Sequence, residues 1–279
     1  MLDPQTEVIL IRGGFWTDME RLLELAPGLR WVHVNMAGLD HLNLKLLGER
    51  GVILTNSQGV LDRPIAEFVV GAVLLWSKGL HQSVLHTQQG HWSPREPLSN
   101  RSMSTLILGA GGIGTECAKA LKVMGFGTVA GFRRDPRRLD TVFDEYVSSE
   151  QVPERIGDFD VVVCSLPAAE STENLVNERF LKNLGQAVVF INVGRGSTVD
   201  QVALADALSE RPLSLAVLDV TEPEPLPTGH PLLQCRNVVI SPHMAGETVE
   251  RHDNFSRVFI DNLGRYLEGA PLSDRTQMY

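Results

Sequence analysis

Three short stretches in the second half of the chain carry side chains suited to holding a carboxylate and moving a proton. Arg195 lies in the stretch VGRG, Glu224 in DVTEPEP and His243 in SPHMAG. Each stretch follows a predicted strand, so all three should meet at the carboxyl edge of a parallel sheet, where open α/β folds bind ligands. An arginine can polarise a carbonyl, a histidine can donate a proton, and a carboxylate can orient the imidazole. The set is suited to proton-coupled hydride transfer on a carbonyl acid.

A glycine loop supplies a second chemical signal. The apolar run Leu106–Leu108 leads directly into GAGGIG, and apolar residues then recur at helical spacing. In such a loop Gly109 permits a tight turn, Gly111 lets the backbone approach a pyrophosphate, and Gly114 lets helix and strand pack closely. The helix N-terminus offers N–H groups to the phosphates, so we predict a dinucleotide site rather than a plain glycine-rich turn. The predicted cofactor contacts are Gly109, Gly111, Gly112, Ile113, Gly114, Leu166, Pro167, Val193 and Gly194.

The end of the next strand bears on the choice of cofactor. NAD-binding domains place an acid there to bind the ribose hydroxyls. In this chain the strand ends in Phe132, followed by Arg133 and Arg134. Guanidinium groups can pair with a 2′-phosphate, which a carboxylate would repel. We therefore predict that NADP(H) is preferred, with NAD(H) as the second possibility and a solvated basic turn as the structural alternative.

The elements that must position these residues form an α/β alternation. The predicted strands and helices are separated by a polar stretch at 87–104, which predicts a loop or arm, so two α/β units are the economical interpretation. A long apolar helix is predicted from Pro64 to Leu80, with Asp62 as its N-cap. The predicted strands cover residues 8–11, 31–34, 52–54, 105–108, 128–132, 161–166, 187–193, 215–218 and 238–241.

Composition limits the class of protein. The chain has 279 residues, 43% of them hydrophobic, and a formal charge of −9, which argues against a nucleic-acid partner. Its longest apolar stretch is far short of the ~20 residues a spanning helix needs, and its N-terminus lacks a secretory pattern. Three widely spaced cysteines suggest neither disulfides nor zinc, and no metal site is predicted. We expect a protein of the reducing cytoplasm, without a membrane partner.

Taken together, these motifs resemble the D-isomer-specific 2-hydroxyacid dehydrogenase family, and within it the NADP-preferring branch similar to glyoxylate/hydroxypyruvate reductases. The similarity runs over nearly the full length. It rests on residues 36–42 (MAGLDHL), residues 66–68, residues 88–92, the glycine loop and the three catalytic stretches.

The resemblance implies roles for the reactive side chains. Arg195 would bind the substrate carboxylate and carbonyl, and His243 would be the acid/base. Glu224 would pair with His243 and favour its protonated form. Glu222 is the alternative partner, although it falls two residues early for the family pattern.

The resemblance also implies contacts made by neighbouring residues. Asp219 would contact the nicotinamide carboxamide, and the backbone N–H groups of Ala37 and Gly38 would help to grip the substrate carboxylate. Thr221 stands where an aromatic residue is common, and the substrate loop carries larger side chains than is usual. Substrate size is therefore not inherited from the family.

The family fold implies two doubly wound α/β domains, in which a Rossmann-type nucleotide domain is inserted in a flavodoxin-like substrate domain. We expect the nucleotide domain at residues 65–246 and the substrate domain at residues 1–64 plus 247–279. Family members usually dimerise through the nucleotide domain, so a homodimer is expected, and the 87–104 arm could belong to that interface.

The predicted activity is reversible, NAD(P)H-dependent reduction of a small 2-oxoacid, such as glyoxylate or hydroxypyruvate, to a D-2-hydroxy acid. Phosphite and formate dehydrogenases share the fold, but no feature of this sequence favours their substrates. The alternative from another class is a dinucleotide-sensing binding protein of the same fold with little turnover.

Overall fold

The computed structural model describes residues 3–12, 18–36, 38–39, 42–94, 96–135, 140–212 and 214–273. The chain divides into two compact units, Met1–Leu61 with Glu247–Tyr279, and Asp62–Gly246. The first unit is thus discontinuous in sequence, and the second is inserted in it. Both units are parallel α/β structures, which confirms the predicted fold class.

The first unit is built on a parallel sheet of three strands in the order β1-β2-β3. One helix follows each of the first two strands, and a further helix comes from the end of the chain. The elements are β1 (Val8–Ile11), α1 (Met19–Leu25), β2 (Trp31–Val34), α2 (Leu44–Glu49), β3 (Ile53–Asn56) and α9 (Arg251–Leu267).

The central strand β2 is buried on both faces because its alternate side chains meet different helices. Val32 and Val34 belong to the core cluster that includes residues of α1 and α2. Trp31 faces α9, where its ring lies 5.4 Å from that of Phe259 and 5.5 Å from that of Tyr266. Residues from opposite ends of the sequence thereby complete one core.

A chain of buried polar groups crosses this sheet beneath α9. Trp31 Nε1 donates to Thr55 Oγ1 at 2.8 Å, and that hydroxyl lies 2.7 Å from His33 Nδ1. His33 Nε2 lies 3.1 Å from Ser57 Oγ, which donates to Asn35 Oδ1 at 3.3 Å. A neutral His33 satisfies this chain, and burial lowers its pKa to about 4.

The second unit contains a seven-stranded parallel sheet in the order β6-β5-β4-β7-β8-β9-β10. Strand order reverses between β4 and β7, which creates the switch point where such sheets bind nucleotides. The strands are β4 (Thr105–Leu108), β5 (Val129–Phe132), β6 (Glu145–Tyr146), β7 (Val161–Cys164), β8 (Val189–Asn192), β9 (Leu215–Leu218) and β10 (Val238–Ile240).

Helices cover this sheet, and an apolar cluster joins three of them to the strands. The helices are α3 (Asp62–Ser77), α4 (Leu80–Gln88), α5 (Gly112–Val123), α6 (Val152–Arg155), α7 (Glu178–Lys182) and α8 (Gln201–Ser209). Short 3₁₀ turns occupy Asn100–Ser102, Ile156–Asp158, Gly196–Thr198 and Pro231–Gln234.

The long apolar helix differs from its prediction. Asp62 is the first residue of α3 rather than its cap, and the helix ends at Ser77. Gly79 then adopts a left-handed conformation with φ of 67°, which breaks the helix and starts α4. In the part of the chain that is described, no single helix is long and apolar enough to cross a membrane, and α3 with α4 reaches that length only as a pair bent by 61°.

Candidate active site

The glycine loop lies between β4 and α5, and two of its glycines are in close contact with neighbouring backbone atoms. Gly109 has a φ of 102°, and a Cβ built on it would lie 2.9 Å from the carbonyl carbon of Ser165. A Cβ at Gly114 would overlap Gly109 O, whereas one at Gly111 would meet nothing within 4 Å. The loop is therefore packed where the helix meets the strand and open where a phosphate would approach.

The first turn of α5 is suited to bind a pyrophosphate. Its N-cap is Gly111, and none of the described side chains forms a capping hydrogen bond there. The uncapped N–H groups and the helix dipole favour an anion at this end. The residues present thus fit a dinucleotide, with Ile113 half-buried in the same turn.

Asp62 packs against this turn from α3. A Cβ on Gly112 would overlap Asp62 Oδ2, so the glycine leaves room for the carboxylate. Burial, and then the negative charge of Glu116, raise the pKa of Asp62. Sequence patterns did not indicate this contact, because Asp62 and Gly112 are far apart along the chain.

Two arginines follow β5 and are anchored to neighbouring loops. Arg133 Nη1 donates to Ala110 O of the glycine loop at 3.0 Å. Arg134 Nη2 donates to Ser171 Oγ at 2.8 Å, in the loop that follows β7. The Arg133 guanidinium is thereby held beside the glycine loop, and that of Arg134 beside the loop after β7. The nearby Arg137 and Arg138 lie outside the described residues.

Arg195 lies between two glycines that pack against different loops. A Cβ on Gly194 would overlap Leu166 O, and a Cβ on Gly196 would overlap the carbonyl of Thr221. Only glycine permits this approach on either side, so the Arg195 backbone is held between the loops after β7 and β9. Its side chain is half-buried, and Arg195 Nη1 donates to Gly194 O at 2.8 Å.

The buried amide of Asn192 holds the same turn from within. Asn192 Nδ2 donates to Arg195 O at 3.0 Å, and Asn192 Oδ1 accepts the backbone N–H of Gly194 at 3.0 Å. The motif around Arg195 did not by itself assign a role to Asn192, although a polar residue that ends an apolar strand was an available signal. Val193 is buried beside it, as is Leu166 in the loop after β7, where Pro167 O accepts the hydroxyl of Thr172.

The loop after β9 brings Glu224 to His243. Glu224 Oε2 lies 2.9 Å from His243 Nδ1, and Oε1 accepts the backbone N–H of Thr221 at 3.2 Å. Since the carboxylate can only accept, Nδ1 of the imidazole carries the shared proton and Nε2 remains for substrate. The alternative partner Glu222 is exposed, and its backbone instead bonds to Gln201.

Asp219 organises the loop that carries His243. Its buried carboxylate accepts Ser241 Oγ at 2.6 Å and the backbone N–H groups of Met244 at 2.8 Å and Ala245 at 2.9 Å. His243 has a φ of 52°, a conformation that non-glycine residues rarely adopt. The anchored loop fixes this strained backbone, and strain of this kind clusters at functional sites.

The two predicted substrate-loop residues fall in the first unit. Gly38 follows the bend after β2, while Ala37 lies outside the described residues. Their predicted contact with a substrate carboxylate, and that of Asp219 with the nicotinamide, stay predictions. Among the residues that the structure describes, no group of three or more His, Cys, Asp or Glu could hold a metal ion.

The parallel sheet has a glycine loop at its switch point, and later loops at the same sheet edge carry an acid–base pair. These two features together define a dinucleotide-dependent oxidoreductase. The model of the D-isomer specific 2-hydroxyacid dehydrogenase NAD-binding domain matches residues 70–245. The chain belongs to the D-isomer specific 2-hydroxyacid dehydrogenase family, which confirms the resemblance found in the sequence.

Individual relatives agree with this assignment. Human glyoxylate reductase/hydroxypyruvate reductase is 34% identical over 267 residues, which cover 93% of this chain and 80% of the relative. The crystal structure of the NADPH-dependent glyoxylate/hydroxypyruvate reductase from Sinorhizobium meliloti, in complex with NADP and malonate, matches with a TM-score of 0.80 at 30% identity, covering 98% of this chain and 84% of that one.

A third relative gives the same fold over a similar length. It is a D-isomer specific 2-hydroxyacid dehydrogenase from Xanthobacter autotrophicus Py2, in complex with NADPH and MES. The TM-score is 0.84 at 28% identity, and the match covers 99% of this chain and 86% of that one.

Proposed function

We propose that the chain reduces a small 2-oxoacid, such as glyoxylate or hydroxypyruvate, to a D-2-hydroxy acid with NADPH. The observation that carries the proposal is the 2.9 Å contact between Glu224 Oε2 and His243 Nδ1. It lies in the same unit as the glycine loop and Arg195. The names of the human and S. meliloti relatives support the substrate class.

The proposed chemistry divides between the cofactor and the side chains. Bound NADPH would supply the hydride to the substrate carbonyl carbon. The guanidinium of Arg195 binds the substrate carboxylate and polarises the carbonyl. His243 donates its Nε2 proton to the carbonyl oxygen, and Glu224 stabilises the imidazolium before that transfer. In the reverse direction neutral His243 accepts the hydroxyl proton.

The cofactor preference rests on the residues after β5. Arg133 and Arg134 are the groups that would pair with a 2′-phosphate, and the N-terminus of α5 would hold the pyrophosphate. Leu166, Pro167, Val193 and Gly194 are the further proposed cofactor contacts. Relatives crystallised with NADP or NADPH support the same preference.

The two units would bind different ligands. We assign nucleotide binding to Asp62–Gly246, and substrate binding by the Gly38 loop to the discontinuous unit. We place the protein in a reducing cytoplasm, since its three cysteines, all among the described residues, are free thiols.

A homodimer is also proposed, and apolar exposure on α4 and beyond supports it. Leu80 and Val84 are about half exposed, and Trp92 is 98% exposed. Exposed apolar groups of this kind mark protein contacts. Size-exclusion chromatography with light scattering should give twice the 30.7 kDa chain mass, and a monomeric mass would overturn this part of the proposal.

The activity is tested by initial rates with glyoxylate, hydroxypyruvate, pyruvate and phenylpyruvate, each with NADPH and with NADH. NADPH-dependent turnover of one of them supports the proposal and begins to define the pocket. Tight NADPH binding without turnover of any would overturn it and favour a dinucleotide sensor.

A further inference from the structure

Gln201 holds the backbone of Glu222 by both of its polar groups. Gln201 Nε2 donates to Glu222 O at 2.5 Å, and Gln201 Oε1 accepts the Glu222 N–H at 3.2 Å. One primary amide therefore satisfies the donor and the acceptor of a single residue. A neighbouring strand would hold a residue in the same way, and here the side-chain amide fixes the backbone of Glu222 in a loop.

The Gln201 side chain extends from a helix that is anchored in the core. Gln201 is the first residue of α8, whose N-cap Asp200 accepts the backbone N–H of Ala203 at 3.0 Å. Leu204 and Leu208 of the same helix are buried in an apolar cluster with residues of the sheet. The position of Gln201 is thus set by the core of the second unit, and the loop is held relative to that core.

The restraint on Glu222 passes to Glu224 through Thr221. Thr221 Oγ1 donates to Pro223 O at 2.9 Å, so the residues on both sides of Glu222 are tied together. The Thr221 N–H donates to Glu224 Oε1 at 3.2 Å. Displacement of Glu222 would move Thr221 and with it the carboxylate that lies 2.9 Å from His243 Nδ1.

We propose that Gln201 is a positioning residue for the Glu224–His243 pair: it sets the carboxylate, and through it the imidazole, without contacting His243 itself. The inference rests on the proposed reduction of a 2-oxoacid. The 3₁₀ turn Gly196–Thr198, Val199 and Asp200 separate Arg195 from the start of α8. Arg195 and Gln201 belong to one short segment, so the residue that binds substrate and the residue that positions the acid–base pair are fixed together.

The kinetic test compares Gln201→Ala with a matched control, Val202→Ala, which changes an exposed neighbour on the same helix. We expect Gln201→Ala to lower kcat about tenfold, since a misplacement of ~1 Å can cost up to about 10²-fold. KM and NADPH affinity should change less than twofold, and Val202→Ala should match the wild type. Unchanged kcat, or a loss that follows NADPH affinity, would overturn the inference.

A double-mutant cycle asks whether Gln201 acts through Glu224. In single-turnover reactions of the Glu224→Gln protein, adding Gln201→Ala should change the rate less than twofold. The same tenfold loss in both backgrounds would contradict the proposed route, because it would show that Gln201 affects catalysis independently of Glu224.

A readout that does not depend on turnover separates this inference from the proposed function. Hydrogen exchange, resolved by residue, should show faster exchange of the Thr221 N–H in Gln201→Ala, although the Gln201 amide bonds to the Glu222 backbone and the Thr221 N–H donates to Glu224. Unchanged exchange at Thr221 would overturn the positioning role even if wild-type protein reduced none of the 2-oxoacids tested. Failure of the wild-type protein to reduce any of the 2-oxoacids would count against the proposed function alone.

Discussion

The two carboxylate oxygens of Glu224 have different partners: Oε2 lies 2.9 Å from Nδ1 of the His243 imidazole, while Oε1 accepts the N–H of Thr221 at 3.2 Å. The carboxylate is therefore fixed by its own loop before it orients the histidine. The arrangement leaves Nε2 as the nitrogen that can exchange a proton with a substrate oxygen.

Replacing His243 by alanine should remove the acid–base step while leaving cofactor binding intact. We expect kcat to fall by roughly 10²–10⁴-fold, the usual contribution of a positioned general acid. NADPH affinity, measured by fluorescence titration, should stay within twofold. The exposed His252 provides a matched control, and His252→Ala should behave as wild type. Normal turnover by His243→Ala would show that the acid/base has been misassigned.

The arginines after β5 should discriminate between the two cofactors. Arg133→Asp combined with Arg134→Ser should weaken NADPH binding by about 10- to 100-fold, because hydrogen bonds to charged groups contribute about 1.5–3 kcal/mol. NADH binding should change little, since NADH lacks the 2′-phosphate. Titration of both cofactors measures the ratio, with Arg179→Ser on α7 as the control. Equal losses for NADPH and NADH would remove the basis of the cofactor assignment.

The glycines of the loop should differ in whether their substitution can be rescued. In Gly112→Ala the new methyl group meets the end of the Asp62 side chain, which a second change, Asp62→Ala, removes. We expect Gly112→Ala to lower NADPH affinity severalfold and the double variant to recover most of it. Dissociation constants and Tm values report both effects.

Gly114→Ala supplies the contrast in the same experiment. Its methyl group meets the backbone oxygen of Gly109, which cannot be trimmed away. The loss of NADPH affinity should therefore persist in the Asp62→Ala background. If Asp62→Ala restored NADPH affinity to Gly114→Ala, or failed to restore it to Gly112→Ala, the contact between Asp62 and Gly112 would not be what lowers the affinity.

Buried His33 should make the first unit less stable in mild acid. Burial lowers its pKa to about 4 from an ordinary 6.5, so the unfolded state binds more protons between these values. The contribution of neutral His33 to the free energy of unfolding is fully present above pH 6.5 and falls as the pH drops toward 4. At pH 5 the loss relative to pH 7.5 should be at most about 2 kcal/mol from this residue.

Urea unfolding at pH 7.5 and pH 5 tests this in the wild type and in His33→Gln. Since glutamine does not titrate, the variant should lose less stability between the two pH values, whatever its stability at pH 7.5. His91→Gln, at an exposed histidine, should retain the wild-type difference. The same pH difference in His33→Gln and wild type would show that His33 is not the group responsible.

The sequence was most informative where chemistry depends on neighbours along the chain. The glycine loop, the arginines after β5 and the three stretches around Arg195, Glu224 and His243 are contiguous motifs, and each follows a strand of the observed sheet. Strand ends at one edge of a parallel sheet come together by topology alone. The α/β class and the reactive groups could therefore be predicted without coordinates.

Contacts between distant segments could not be predicted in this way. The Asp219 carboxylate that anchors the His243 loop, the Gln201 amide and the contact of Asp62 with Gly112 all join segments that no local pattern relates. The break between α3 and α4 was also missed, because the predicted helix ran through Gly79 to Leu80, whereas the backbone of Gly79 is left-handed.

The discontinuous unit has a consequence for how the protein is made. Trp31 and His33 leave the ribosome early, but Phe259 and Tyr266, which contact them or cover the same face, are translated only after the whole of Asp62–Gly246. At about 5–20 residues per second this interval is on the order of ten to forty seconds. During that time the nascent chain presents an uncovered aromatic sheet face, and exposed apolar surface of this kind is prone to associate with other chains.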